Sequence, residues 1–242
     1  MKYKIVILLL TFAGHTALCQ LEVGAFHLVS ELKPSSLMSS EDKALAKKLI
    51  ASQKHVPMIN RAGSFYFQRS NTKTIMLTAQ HVFTGAKDTN PNVDFVFAEP
   101  KYFKNLILKN KVPYSGKLAN AEVGQKIYAL GYGNGAKISY SIGRVLSSQE
   151  INEQESKINK LDVFTNHIPF DSSIEIVAEG LSYQGMSGGA VFNSNGEFIG
   201  ILIRGGEIKN QKPNDWMRGF TYFRVLKSDF LFRNFDETEF SN

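Results

Sequence analysis

A serine held among glycines, just ahead of an apolar strand, is an arrangement in which a hydroxyl can act as a nucleophile. Gly185-Met186-Ser187-Gly188-Gly189-Ala190-Val191 has that form, and the apolar run Phe198-Ile199-Gly200-Ile201-Leu202-Ile203 follows it. Glycine lets the backbone turn tightly, so that two amides can point at the oxyanion developing on an attacked carbonyl. The chemistry also needs a base with a pKa near neutrality. His81 offers one in Thr78-Ala79-Gln80-His81, delivered by the apolar stretch Ile75-Met76-Leu77. Ser187 would attack while His81 takes its proton and later passes it to the leaving group. Taken singly, Gly-rich turns and packed histidines are commonplace. Jointly, between apolar strands, the two segments point to acyl transfer.

These segments resemble the Thr-Ala-Ala-His and Gly-x-Ser-Gly-Gly motifs of chymotrypsin-like (trypsin-like) serine proteases. The surroundings are most similar to the bacterial HtrA-type and glutamyl-endopeptidase branches. Asn92-Val93-Asp94-Phe95-Val96-Phe97 resembles the strand that carries the family's aspartate, Val123-Gly124-Gln125-Lys126-Ile127-Tyr128-Ala129-Leu130-Gly131-Tyr132-Gly133 resembles a later strand and its turn, and Ile142-Gly143-Arg144-Val145 resembles the strand after it. The likeness covers roughly residues 60–232. It implies a His81, Asp94, Ser187 triad in chymotrypsin-type chain order. It also implies oxyanion donors at the N–H groups of Gly185 and Ser187. Asp94 follows His81 by only 13 positions, a short interval for the family. Asp88 lies too near the His81 turn, and Asp162 and Asp171 fall where the family places no acid. By family position Leu181, Ser182, Ile203, Arg204, Gly205 and Phe220 surround the first substrate pocket. Leu181 and Phe220 suggest an apolar one. Arg204 would favour an acidic side chain if it pointed inward, or would point to solvent from a strand end.

Two departures bear on activation. The chain has no Ile-Val-Gly-Gly start, and Met186 stands where zymogen-type relatives carry aspartate. Methionine cannot pair with a newly cut amino terminus, so the Gly185–Ser187 loop must be ordered by other contacts.

The implied fold is all-β: two antiparallel six-stranded β-barrels with an N-terminal helix and a possible C-terminal helix. The expected organisation is a signal peptide at 1–19, an N-terminal segment at 20–60 and a protease domain at 61–235. Barrel 1 would span about 61–112 and barrel 2 about 120–227. Ser40-Glu41-Asp42 starts a helix, and Leu45, Ala46, Leu49 and Ile50 give it one apolar face, expected to pack on the first barrel. Ser64–Phe67 and Thr74–Leu77 flank a polar turn and read as a hairpin. Further strands are expected at Asp94–Phe97, Leu106–Leu108, Lys126–Leu130, Ser139–Val145, Leu161–Thr165, Ala190–Phe192, Phe198–Ile203 and Phe220–Val225. Asn193-Ser194-Asn195-Gly196 is a turn, and Ser228–Phe235 a helix or extended tail.

Composition sets the outer limits. The 242 residues are 43% hydrophobic and 21% charged, enough for a real core and unlike a disordered chain. Lys2 and Lys4, the apolar stretch Ile5–Phe12 and Ala17-Leu18-Cys19 form a signal-peptide pattern, too short to span a membrane. Cleavage after Cys19 would leave Gln20 first and change the net charge from +6 to +6 − 2 = +4. A lipidated Cys19 is the rival reading, although Leu18 suits that cleavage poorly. Cys19 is the single cysteine, so the mature chain would hold no disulfide, a pattern more bacterial than animal. Lys101, Lys104, Lys109, Lys111 and Lys117 read as a solvated face and not as a nucleic-acid surface. No metal or cofactor is expected. His27 and His55 precede the barrels, and His167 reads as a packed or exposed strand residue.

The expected function is a secreted or periplasmic serine endopeptidase acting on a protein or peptide substrate. An inactive protease-fold protein that binds peptides also fits, given the short Asp94 interval and the Gln80 and Met186 substitutions. Hydrolysis of esters would use the same residues.

Overall fold

The computed structural model describes residues 21–84, 94–135, 137–159, 169–206 and 219–237. The signal-peptide pattern, Asp88, Asp162, the expected strand Leu161–Thr165 and His167 lie outside these residues.

Strand β1 (Phe26–Leu28) comes first. Helix α1 (Ser40–Ser52) begins where Ser39 accepts a hydrogen bond from the Asp42 N–H at 3.0 Å, an N-cap with acidic residues in the first turn. The first half of the domain then follows. Its elements are β2 (Met58–Ile59), β3 (Ala62–Gly63), β4 (Phe65–Gln68), β5 (Thr74–Thr78), helix α2 (His81–Thr84), β6 (Val96–Ala98) and β7 (Leu106–Ile107). They form two three-stranded antiparallel sheets, ordered β3-β2-β7 and β4-β5-β6. The β4–β5 hairpin is the one its sequence indicates.

The second half contains β8 (Lys126–Gly131), β9 (Ser139–Val145), helices α3 (Ser148–Glu153) and α4 (Glu155–Ile158), and β10 (Glu175–Tyr183). It continues through β11 (Ala190–Asn193), β12 (Phe198–Gly205), β13 (Gly219–Lys227) and α5 (Ser228–Glu237). Six of these strands run β9-β10-β13-β12-β11-β8, and β8 pairs with β9, closing an antiparallel barrel. The architecture is mostly strand with a few helices and fits the chymotrypsin-like fold. Helix α3 starts with a capping box, in which Ser147 and Glu150 satisfy each other's backbone N–H groups. Strand β10 departs from the sequence reading: nine residues long, it contains Leu181 and Ser182.

The two halves meet in an aromatic seam. Phe65 of β4 stacks on Phe198 of β12 with ring centroids 3.9 Å apart, and Phe192, Tyr114 and Phe232 pack around them. Helix α1 buries Leu45, Ala46 and Leu49 in the same cluster, beside Phe65 and Leu77 of the first half, and two of its polar side chains reach the second half. Ser52 bonds Tyr128 of β8 at 3.1 Å, and Asp42 lies 3.6 Å from Lys126. Strand β1 pairs with β9, so residues 21–52 are strapped onto the closed barrel. The apolar stripe identifies the buried face of a helix but not the surface that covers it. Among the described residues, no helix is long and apolar enough to cross a membrane.

Candidate active site

Strand β5 is buried from Ile75 onward and delivers Thr78, Ala79 and then His81 at the first residue of α2. Thr78 Oγ1 donates to the Gly63 carbonyl at 2.7 Å, which fixes the end of the strand. His81 is half-buried, and Asp94 is 3% exposed. The Asp94 carboxylate accepts the His81 backbone N–H at 3.1 Å through Oδ1. It meets the ring Nδ1 at 2.9 Å through Oδ2 and 3.1 Å through Oδ1. Thirteen residues therefore suffice for the acid to reach back to the histidine. Burial pushes the Asp94 pKa up, but the hydrogen bond and charge of His81, with the Arg204 guanidinium, outweigh it and hold the carboxyl below its usual range.

The Ser187 loop packs directly against this unit. The Gly63 N–H donates to the Ser187 carbonyl at 3.0 Å. At Gly188 a Cβ would lie 2.0 Å from Thr78 Oγ1 and 2.8 Å from the Ala79 nitrogen. The two motifs thus touch where Gly188 has no side chain. Among the described residues, no hydrogen bond joins the Ser187 hydroxyl to His81.

The loop is held from within. Met186 N–H donates to Tyr183 O at 3.0 Å, Gly188 N–H to Leu202 O at 2.7 Å and Gly189 N–H to Met186 O at 2.9 Å. Among the described residues, the intervening N–H groups of Gly185 and Ser187 donate to no protein group. Gly185 takes φ +93°, a left-handed conformation suited to glycine, and its carbonyl accepts the Tyr132 N–H at 3.2 Å. Met186 is fully buried with Ala129, Val191 and Phe223, and the Ser141 hydroxyl meets its sulfur at 3.5 Å. An apolar anchor occupies the place where zymogen-type relatives have a charge.

Of the residues assigned to a substrate pocket, four converge at one end of β10, β12 and β13. Leu181 is half-buried, Ser182 is opposite Phe220, and the Phe220 ring lies so close to Gly205 that a Cβ there would meet it at 2.1 Å. The other two do not line that end. Ile203 is 1% exposed and belongs to the main core with Leu226 and Leu231. Arg204 does not point to solvent from the strand end. Its side chain is 6% exposed, with Nη2 3.4 Å from Asp94 Oδ2 and Nη1 3.7 Å from Glu175 Oε1. The pairing of β12 with β13 shifts between Leu202 and Arg204, and such a bulge re-aims a side chain.

Sequence reasoning missed Glu175 and Arg224, which complete this ion cluster. The signal was there: each is a lone charge inside an apolar run, Ile174-Glu175-Ile176-Val177 and Phe223-Arg224-Val225-Leu226, and isolated charges in such runs are buried in pairs. Asp171 is occupied by Ser173 in the turn before β10. His55 Nδ1 bonds the Val112 carbonyl at 2.9 Å, and the His27 ring lies against Tyr140.

Residues 111–201 match the family model for the trypsin-like peptidase domain. With the fold, that match supports a trypsin-like serine protease family. Similar folds include the Rv3671c protease from M. tuberculosis in its active form, at 16% identity and TM-score 0.50, with 81% of this chain and 85% of that one covered. Deg5 is similar at 15% identity and TM-score 0.50, with 81% and 94% covered. At such identities the likeness is one of fold. Among curated proteins, none matches the sequence. Family and fold together support a serine-protease-type hydrolase.

Proposed function

We propose that this protein is an exported serine endopeptidase that cuts peptide bonds through an acyl-enzyme. Ser187 is the nucleophile, His81 the general base and then acid, and Asp94 the group that holds the imidazole tautomer. The observation that carries this reading is the pair of uncommitted N–H groups at Gly185 and Ser187. Among the described residues these two donate to no protein group, whereas Met186, Gly188 and Gly189 do; one belongs to the serine itself and the other lies two residues before it, where its attack would create an oxyanion. Leu181, Gly205 and Phe220 favour an apolar side chain on the acyl side of the cut. With Arg204 turned to Asp94, nothing in that cluster favours an acidic one.

The test is covalent labelling by a fluorophosphonate, with the adduct located by mass spectrometry. Labelling at Ser187, loss of labelling in Ser187→Ala, and cleavage of a casein-type substrate support the proposal. A wild-type protein that takes up no label refutes it. One observation favours a second reading, a protease fold kept for binding peptides: the Ser187 hydroxyl makes no direct hydrogen bond to His81. Under that reading peptides bind, but neither labelling nor cleavage occurs.

A further inference from the structure

Behind His81 runs a chain of buried charges that the triad alone does not require. Asp94 Oδ2 faces Arg204 Nη2 at 3.4 Å, and Arg204 Nη1 lies 3.7 Å from Glu175 Oε1. Glu175 Oε2 accepts from Arg224 Nε at 2.6 Å. Side-chain exposures are 3% for Asp94, 6% for Arg204, 3% for Glu175 and 0% for Arg224. At the far end, Arg224 Nη2 donates to the Pro169 carbonyl at 2.8 Å, and its guanidinium lies over the Phe170 ring.

Arg204 and Arg224 are direct cross-strand partners on β12 and β13. Like charges placed opposite each other repel, and burial strengthens the repulsion. Glu175, on β10 at the other side of β13, contacts both guanidiniums. Asp94, from the first half of the domain, also contacts Arg204. With a neutral His81 the cluster holds two cations and two anions and is balanced. Removing one member leaves an unbalanced charge among these buried groups, which is costly.

We propose that Arg204 is a positioning residue for the hydrolysis, held in place by Glu175 and Arg224. This inference rests on the roles given above to His81, Asp94 and Ser187. Arg204 touches neither substrate nor the reacting atoms and acts through Asp94. A carboxylate buried this deeply tends to take up a proton or turn away. The guanidinium on Oδ2 supplies a second, fixed cationic partner, so Asp94 stays ionised and oriented while it accepts the His81 Nδ1–H. That hydrogen bond leaves the other ring nitrogen unprotonated and free to receive the serine proton.

The test uses the mature protein with 15N-labelled histidine and three variants: Arg204→Gln, Arg204→Lys and the double Arg204→Gln/Glu175→Gln. The readouts are kcat and KM, fluorophosphonate labelling rate, and the low-field NMR signal of the His81 Nδ1 proton. For Arg204→Gln, kcat and labelling are expected to fall on the order of 10–100-fold, the size seen when groups that orient metal ligands from behind are removed, with KM little changed. The proton signal should move or broaden. Arg204→Lys should recover part of both. If Arg204→Gln does not fold, the double variant, which removes one charge of each sign, takes its place and should show the same loss. Unchanged kcat with an unchanged proton signal overturns the proposal. So does a loss of activity that lysine does not relieve while the proton signal stays as in wild type. If the wild-type protein takes up no fluorophosphonate, the hydrolase reading fails, yet the proton signal still decides whether Arg204 positions the Asp94–His81 pair.

Discussion

Gly188 is the point at which the two motifs touch, so adding one methyl group there should separate them. Its φ of +77° already disfavours a side chain, and a Cβ would lie 2.0 Å from Thr78 Oγ1, 2.5 Å from the Gly63 carbonyl oxygen and 2.8 Å from the Ala79 nitrogen. Two of those atoms are backbone and cannot swing aside. Gly124 provides an internal control, with φ +78° and nothing within 4 Å of its would-be Cβ. The left-handed conformation costs an alanine about 1–2 kcal/mol at either position. Overpacking adds about 1–3 kcal/mol at Gly188 alone. Gly124→Ala should therefore lose about 1–2 kcal/mol and Gly188→Ala about 2–5 kcal/mol. Urea denaturation of both variants, with fluorophosphonate labelling alongside, measures the difference. Gly188→Ala should also label more slowly, whereas Gly124→Ala should label at the wild-type rate. Equal midpoint shifts in the two variants would show that the methyl group meets no resistance, and the contact argument would fail.

Asp94→Asn should keep the fold while turnover drops by up to ~10⁴, the scale of a wrong imidazole tautomer; because Arg204 also leans on Asp94, the thermal midpoint should fall too, and normal turnover would remove Asp94 from the mechanism. Lys111, half-buried with its ammonium 5.9 Å from the centre of the Tyr132 ring, is brought down to about 8 by desolvation. From about pH 8 to about pH 10 the unfolded chain keeps a proton that the folded chain has lost, so this lysine makes stability rise with pH across that window. Denaturation midpoints of wild type and Lys111→Met should diverge there, and parallel curves would refute the assignment. Chains beginning at Gln20 and chains extended by a few residues should label at equal rates, because Met186 already fills the site where a new amino terminus would insert; labelling that appears only after a specific cut would reverse this conclusion.

The chemistry was more legible in the sequence than its support. Ser187, His81 and Asp94 sit in short segments whose types and spacing are local facts, and the structure holds Asp94 on His81 with the Ser187 loop packed beside them. The β4–β5 hairpin, helix α1 and most strands of the second half were legible for the same reason, since periodicity and turn residues act over a few positions. Strand β10 was not, because Gly180 and a register shift between Glu179 and Ser182 interrupt its alternation. Arg204 was misplaced because its partners arrive from β10 and from Asp94, and no local pattern records such a meeting. The N-terminal segment was harder still. Phe26-His27-Leu28 is too short to announce a strand, and its partner lies far along the chain.

The strap formed by β1 and α1 bears on how the chain is built. Phe26 pairs with Ser141, and Ser52 with Tyr128. Residues 26–52 are synthesised before the strands at 126–145 and can find their places only after those strands exist. Pairings between such distant positions form slowly, because a long loop must close before any contact rewards it. Until the closed barrel forms, the apolar residues of this segment stay uncovered. The strap is then a closing clasp, set only once the strands it grips have been assembled.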